Sequence, residues 1–394
     1  MEEDVSAGRP GLPCRFCGVF YSPEGGKVTD RQFMRRAISL ASRGQGWCHP
    51  NPMVGCVIVR DGEIIGEGYH RRCGELHAER NALASVKGSA EGATLYVTLE
   101  PCCHHGRTAP CTDAIIENRI AKVVIGSRDP NPKVSGKGVR LLREAGIEVV
   151  TDFMREECDR LNPVFFHYIT TGLPYVTMKY AMTLDGKTAT KTGASKWISG
   201  PSSLKEVHRM RHANMGIMAG IGTVLADDPL LTCRIRGGKN PVRIICDSRL
   251  RIPFDSNLVR TADKIRTIVV CSNNYDVFKK QSLERAGVEV LSLPGKDGRV
   301  DLNALMRKLG SMEIDSILLE GGAGLNASAV EAGIVNEIRA FVAPKVFGGR
   351  AVSPVEGSGV ELPSEAYSFS LKEMKRVGGD VMLSYVREEK CLPE

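Results

Sequence analysis

His77-Ala-Glu79, followed by Thr98-Leu-Glu-Pro-Cys-Cys-His-His-Gly-Arg-Thr-Ala-Pro-Cys111, decides how this 394-residue chain is read. His77, Cys102 and Cys111 supply one imidazole and two thiolates, a ligand set that suits zinc. Three protein ligands leave a fourth position for water, the arrangement of a catalytic site rather than a closed structural one. His77 and Glu79 fall at the start of a predicted helix over 77–86, and Cys111 at the start of another over 111–118. Helix N-termini favour thiolate over thiol, which metal binding requires. Glu79, two residues from a ligand, can take a proton from the water and pass it to a leaving group. A closed structural zinc, or buried thiols alone, leaves Glu79 without a role.

Working outward, β-like runs at Met53–Val59, Ile64–Tyr69, Thr94–Leu99 and Lys122–Ile125 alternate with these helices. A further helix opens near Thr29 with an apolar face of Phe33, Met34, Ala37, Ile38 and Ala41. Strands interleaved with helices predict an α/β domain over 28–150 with both sheet faces covered. Residues 151–173 read as a helix and a connecting segment. A second α/β series follows: Tyr175–Leu184, a helix near Ser202–His212, and then strand-like runs at Gly216–Val224 and Val242–Asp247. It continues through Ile268–Cys271, Val288–Leu291, Ser316–Glu320 and Ile338–Val346, giving a second domain over 174–390. No internal repeat is visible.

Composition sets the outer limits. The chain is 42% hydrophobic and 25% charged, which excludes a largely disordered or fibrous protein. The net charge of +7 is spread evenly, with 20 basic and 17 acidic side chains in residues 1–150. Without a basic stripe, nucleic acid is not expected as a partner; the charge balance leaves room for a small anionic substrate. No apolar run reaches the roughly 18 residues of a membrane helix. The acidic start Met-Glu-Glu-Asp-Val is unlike a signal peptide, and thirteen cysteines then read as reduced thiols in a cytoplasmic protein. Residues 1–27, with Cys14-Arg-Phe-Cys17, read as a loose leader. Cys48, Cys56 and Cys73 are spaced closely enough to suggest a second metal, but buried free cysteine is a common apolar filler.

His-x-Glu followed by Pro-Cys-x-x-Cys marks zinc deaminases, with the Glu as proton carrier. Here eight residues separate Cys102 from Cys111. That stretched spacing resembles the bifunctional riboflavin-biosynthesis deaminase/reductase family. Asn51-Pro-Met-Val-Gly-Cys-Val-Ile-Val59, Gly-Tyr-His70 and Asp129-Pro-Asn-Pro-Lys-Val keep the family's order. The resemblance implies a cytidine-deaminase-like fold that removes an amino group from a phosphoribosylated diaminopyrimidinone. It places zinc on His77, Cys102 and Cys111, proton transfer on Glu79, and substrate contacts on Asn51, His70, His104 and Arg107. Met53 and Ala109 depart from the common pattern without touching the ligand set. A nucleoside or tRNA-base deaminase with an unrelated appended domain is the alternative, and it calls for the short Cys-x-x-Cys spacing and a basic face.

In the second half, Gly321-Gly-Ala-Gly-Leu-Asn326 lies between a strand and a helix, where backbone amides can approach phosphate. Lys179-Tyr-Ala-Met-Thr-Leu-Asp-Gly-Lys187, Ser195-Lys-Trp-Ile-Ser199 and Gly222-Thr-Val-Leu-Ala-Asp-Asp-Pro229 resemble the reductase half of the same family. This implies a dihydrofolate-reductase-like fold, NADPH, and reduction of the ribosylamino sugar to a ribitylamino chain. Cofactor contacts then fall on Ala181, Trp197, Thr223, Asp227, Ser248, Gly322, Ala323, Gly324, Leu325, Asn326, Ala327 and Ser328. Substrate contacts fall on Lys179, Ser195, Arg211, Leu231, Arg234 and Glu320. Lys179, Arg211 and Arg234 are expected to hold the substrate phosphate, and Lys179 or Asp227 to assist proton transfer. Ser248-Arg249 is the expected reader of the cofactor 2′-phosphate. The resemblance also implies a homo-oligomer.

Overall fold

A computed structural model of the chain describes residues 29–104, 109–131 and 134–388. The Cys14–Cys17 pair of the expected leader lies outside them, as does Arg107. The first half runs α1 (Asp30–Ala41), β1 (Gly55–Arg60), β2 (Glu63–Tyr69), α2 (Ala78–Ser85), β3 (Thr94–Leu99), α3 (Cys111–Glu117), β4 (Lys122–Ser127), α4 (Lys137–Glu144) and β5 (Glu148–Val150). Its sheet has the order β2-β1-β3-β4-β5, with β3, β4 and β5 parallel and the β1 pairings antiparallel. Alternate residues of β1 face opposite ways. Cys56 and Ile58 pack with Ala78 and Ala82 of α2, while Val57 and Val59 pack with Met34 and Ala37 of α1. Both faces are therefore covered, as the apolar runs predict. A Cβ at Gly68 would lie 2.3 Å from the backbone nitrogen of Ala82. That glycine lets α2 settle onto β2 and fixes where His77 emerges.

The connecting segment holds two short helices, α5 (Arg155–Asp159) and α6 (Pro163–Thr171), rather than the single one expected. The second half runs β6 (Tyr175–Thr183), α7 (Pro201–Ala213), β7 (Gly216–Gly220), α8 (Ile221–Asp227), β8 (Val242–Cys246), α9 (Asn257–Arg260), β9 (Thr267–Cys271), α10 (Val277–Arg285) and β10 (Glu289–Ser292). It ends with α11 (Leu302–Ser311), β11 (Ser316–Leu319), α12 (Ala323–Glu331), β12 (Glu337–Ala343), β13 (Phe369–Val377) and β14 (Asp380–Arg387). Nine strands form one sheet in the order β10-β9-β8-β7-β11-β6-β12-β14-β13, parallel from β10 to β12 and antiparallel at the β14 and β13 edge. Met218, Ile244 and Ile268 face α11 and α12, while Ile217, Ile245 and Val269 face the opposite layer with α8 and α9.

One expected strand is shorter than read. The run Gly216–Val224 leaves the sheet at Gly220, whose extended backbone (φ −86°, ψ 154°) caps α8. Ile221 and Val224, three apart, are buried on one face of that helix, so the apolar run changes period from two to 3.6 at the glycine.

Candidate active sites

The α2 and α3 helix starts and the loop after β3 bring the three proposed ligands together. His77 is the N-cap of α2 and Cys111 the first residue of α3. The Cys111 amide donates to the Cys102 carbonyl at 3.1 Å, which locks the loop against the helix. The two sulfurs each lie 3.4 Å from His77 Nδ1. Tetrahedral zinc with S and N bonds of about 2.3 and 2.05 Å would hold those atoms about 3.6 Å apart, so the cluster fits the ion. Among the described residues, this is the one such cluster of His, Cys, Asp and Glu side chains. Cys48 instead donates to the His70 carbonyl at 3.0 Å, and burial pushes its thiol up to about 12, while Cys56 is buried in β1.

The Cys111 thiol donates to Cys102, and with His77 nearby this holds Cys102 well below the ordinary thiol range. Cys111 is pushed up by the same bond and by burial, so metal binding must displace its proton. Glu79, in the first turn of α2, is 3% exposed; burial, then the Cys102 charge, raises its carboxyl to about 6. A carboxyl poised near neutrality suits a group that both accepts and returns a proton.

A cavity of about 310 Å³ opens over this cluster, lined by Asn51, His70, His77, Glu79, Cys102 and His104 among others. His70 Nδ1 lies 3.1 Å from the Leu76 carbonyl, which only accepts, so that nitrogen carries the proton. Its Nε2, 3.3 Å from Asn51 Nδ2, is then the acceptor. Burial lowers the His70 pKa, in keeping with this neutral tautomer. Asp129 and Asn131, quoted above only as part of a motif, also line the cavity. Burial raises Asp129 to about 6.

The second cavity, of about 960 Å³, lies at the carboxyl ends of β6, β7, β8 and β11, where open parallel sheets bind ligands. Lys179, Ala181, Ser195, Trp197, Thr223, Asp227, Ser248, Glu320, Gly322, Ala323, Gly324, Leu325, Asn326 and Ser328 line it. Trp197 is 72% exposed with φ +68°, unlike a core aromatic. Gly322 caps α12, and a Cβ at Gly321 would lie 2.9 Å from Asn326 Oδ1. That oxygen is buried with no hydrogen-bond partner among the described residues. A glycine cradle at a helix start fits a phosphate, and the spare Asn326 oxygen, an acceptor, suits a hydroxyl or amide of the same cofactor.

Four expected residues stand elsewhere. Ala327 is buried inside α12, Leu231 is buried, and Arg234 is exposed with its amide donating to His208 Nδ1. None of these lines the cavity, and neither does Arg211. Its Nε and Nη2 donate to the two Glu320 oxygens at 2.7 and 2.9 Å, and Nη1 donates to the Thr232 carbonyl. Arg211 is therefore spent on orienting Glu320 rather than free to take the substrate phosphate. Arg251 and Arg299 line the cavity and Arg249 does not. Charge alone cannot tell these arginines apart in a sequence; the turn after β8 brings Arg251 and not Arg249 to the cavity, and Arg299 reaches it from the connection between β10 and α11.

Comparison with known proteins finds two matched regions. Residues 27–127 match the cytidine and deoxycytidylate deaminase zinc-binding region, and residues 174–383 match the RibD C-terminal domain. The riboflavin biosynthesis protein RibD of Actinobacillus pleuropneumoniae is 53% identical, covering 91% of this chain and 96% of that one. The chain belongs to the RibD family. The Escherichia coli RibD is 40% identical over 91% of this chain and all of its own. Among solved structures, Acinetobacter baumannii RibD superposes with a TM-score of 0.82 at 36% identity, covering 91% of this chain and 99% of that one. The Thermotoga maritima diaminohydroxyphosphoribosylaminopyrimidine deaminase/5-amino-6-(5-phosphoribosylamino)uracil reductase reaches 0.79 at 37% identity, covering 90% and 97%. Like other RibD proteins, this chain is a bifunctional riboflavin-pathway enzyme, with Zn²⁺ and NADPH as cofactors of its deaminase and reductase halves. No helix among the described residues is long and apolar enough to cross a membrane.

Proposed function

We propose that the chain deaminates 2,5-diamino-6-(5-phosphoribosylamino)pyrimidin-4-one hydrolytically. It then reduces the ribosyl chain to give 5-amino-6-(5-phosphoribitylamino)uracil. The proposed units are a deaminase domain over 28–150, a connecting segment over 151–173 and a reductase domain over 174–390. The observation that carries the reading is the buried Glu79 beside a three-ligand cluster under a small cavity.

His77, Cys102 and Cys111 would hold the zinc, which when bound would supply the Lewis acidity that acidifies a water. Glu79 takes that water's proton and returns it to the departing amine. Asn51 and His70 orient the pyrimidine, His104 lies at the same cavity wall, and Arg107 is assigned to the phosphate on the family pattern alone. In the reductase half, Thr223, Ser248 and the Gly322–Asn326 turn would hold NADPH, which when bound would supply the hydride for C1′ of the opened, imine-form sugar. Lys179 supplies the accompanying proton, being enclosed in the cavity, whereas Asp227 is exposed at its rim. Ser195 and the Arg211-braced Glu320 position the sugar. Exposed Leu371 and Met374 on the edge strand β13 support a homo-oligomer, and a biosynthetic enzyme of soluble intermediates belongs in the cytoplasm.

The test follows ammonia and NADPH together in purified protein given the diaminopyrimidinone phosphoriboside. Both should change, ammonia first. Glu79→Gln should lower ammonia release by about 10²–10⁴-fold while reduction of supplied deaminated intermediate continues. Loss of both activities in a folded, zinc-loaded variant would refute the division of labour.

A further inference from the structure

The deaminase cavity is not closed by the deaminase half alone. Its wall includes Phe165 of α6 and Glu313, which lies in the turn between α11 and β11 of the reductase half. That turn is tied across the domain boundary. Asp315 is buried and lies 2.6 Å from His49 Nδ1, while His49 Nε2 lies 2.9 Å from the Ala213 carbonyl. The Tyr168 hydroxyl of α6 donates to the Gly310 carbonyl at 3.0 Å. Inside the turn, the amides of Glu313 and Ile314 donate to the Gly310 and Leu309 carbonyls at 3.0 and 3.1 Å.

Glu313 itself has φ +59°. This is the left-handed region, where a β-carbon costs conformational energy and glycine is the low-cost residue. A side chain kept at such a position, next to a cavity, points from strain toward function. Its carboxylate has no hydrogen-bond or ion-pair partner among the described residues. Of the other carboxylates of the cavity, Glu75, exposed like Glu313, also lacks such a partner, but it belongs to the deaminase half and does not have the left-handed backbone of Glu313; the rest are engaged. Glu100 accepts from the Gly136 and Val139 amides, Asp129 accepts from Asn131, and Glu79 serves proton transfer. A carboxylate only accepts, so its ligand partner must be a donor, an amino or hydroxyl group.

We propose that Glu313 is a specificity-determining residue for deamination, contributed by the reductase half. It accepts a hydrogen bond from a substrate amino or hydroxyl group away from the reacting carbon. The assignment rests on the deaminase reading given above.

The full-length, zinc-loaded chain tests it with Glu313→Gln, Glu313→Asp and Glu313→Gly, measuring kcat and KM for ammonia release, thermal midpoint, and reduction of supplied intermediate. Glu313→Gln should raise the deamination KM about tenfold, as expected when a charged acceptor is exchanged for a neutral one. Its kcat should stay within about twofold and reduction should be unchanged. Glu313→Asp should recover part of the KM. Glu313→Gly should raise the thermal midpoint by relieving the left-handed backbone, yet raise KM as much as Gln does. A merely structural residue cannot move those two readouts in opposite senses. The inhibition constant of 2,5,6-triaminopyrimidin-4-one, which lacks the sugar, separates the donors: a shift in Glu313→Gln assigns the base, no shift the ribosyl hydroxyls. An unchanged KM in Glu313→Gln beside normal wild-type turnover overturns the role of Glu313 alone. Absence of wild-type ammonia release overturns the deaminase reading, and this assignment with it.

Discussion

Replacing Lys179 by methionine should make the protein slightly more stable and slow reduction sharply, two effects that come from the same surroundings. Lys179 lies midway along β6, opposite Arg339 of β12, with its Nζ 5.8 Å from the centre of the Phe341 ring. Burial lowers its pKa from the ordinary lysine value; Arg211 pushes the same way and Glu320 opposes both. The unfolded chain therefore binds a proton that the native chain releases as pH rises from the depressed value toward 10.5. Stability rises with pH through that window, and below it Lys179 is a net cost. Removing it does not orphan Glu320, which keeps both bonds from Arg211.

Exchanging buried charges for apolar groups of similar volume is often neutral or stabilising by about 1–4 kcal/mol. Lys179 keeps some of its surface open to the cavity, so solvent screening trims the expected gain to about 0–1 kcal/mol. A proton donor removed from the reacting sugar should cost about 10²–10⁴-fold in reduction. The assay is NADPH absorbance with supplied deaminated intermediate across pH, beside urea unfolding and ammonia release. Wild-type reduction should fall away at a pH below that of an ordinary lysine, and Lys179→Met should lack that limb. Reduction within tenfold of wild type, or destabilisation beyond about 2 kcal/mol that accounts for the loss, would refute the assignment.

Two further outcomes follow from the sites. Cys102→Ser should lower zinc from about one per chain and lower ammonia release in parallel, with reduction intact; full metal content in a Cys102→Ser, Cys111→Ser double variant would refute the ligand set. Arg251→Ala should erode the preference for NADPH over NADH by about tenfold or more, whereas Arg249→Ala should leave it alone. An unchanged preference in an Arg251→Ala, Arg299→Ala double variant would show that neither guanidinium reads the 2′-phosphate.

The first half of the molecule was legible because its chemistry and its patterning coincide. His77, Glu79 and Cys111 sit at helix starts, and the β1, β3 and β4 runs are apolar because both sheet faces are covered. Where patterning misled, the cause is local. Gly216–Val224 stays apolar throughout, and only the glycine cap marks where strand becomes helix. The β13–β14 hairpin escaped notice because most of β13 is exposed and shows no alternation of buried and open residues. The surroundings of the reductase substrate set were hidden for a different reason. A sequence shows that Arg211 is cationic but not that Glu320, 109 residues later, already occupies it. Glu313 left no signal at all, since its proximity to the deaminase cavity depends on how the two halves meet.

That meeting explains why the two activities share one chain although their machinery is separate. Strand β11 is four residues long, and Ile317, Leu318 and Leu319 are fully buried between β6 and β7. Before it come Glu313 at the deaminase cavity and Asp315 on His49; after it comes Glu320 in the reductase cavity. Five strand steps from Asp315 to Glu320 span about 17 Å, so the two cavities lie toward opposite ends of one packed strand. Loop substitutions at either end can alter one reaction alone, because the strand between them is rigid and held on both sides. A cavity made within β11 would displace both ends together, since close-packed interiors pass strain along rather than absorb it. The reductase sheet thus serves as part of the deaminase wall, and the deaminase half cannot keep that wall without the strand that also carries Glu320.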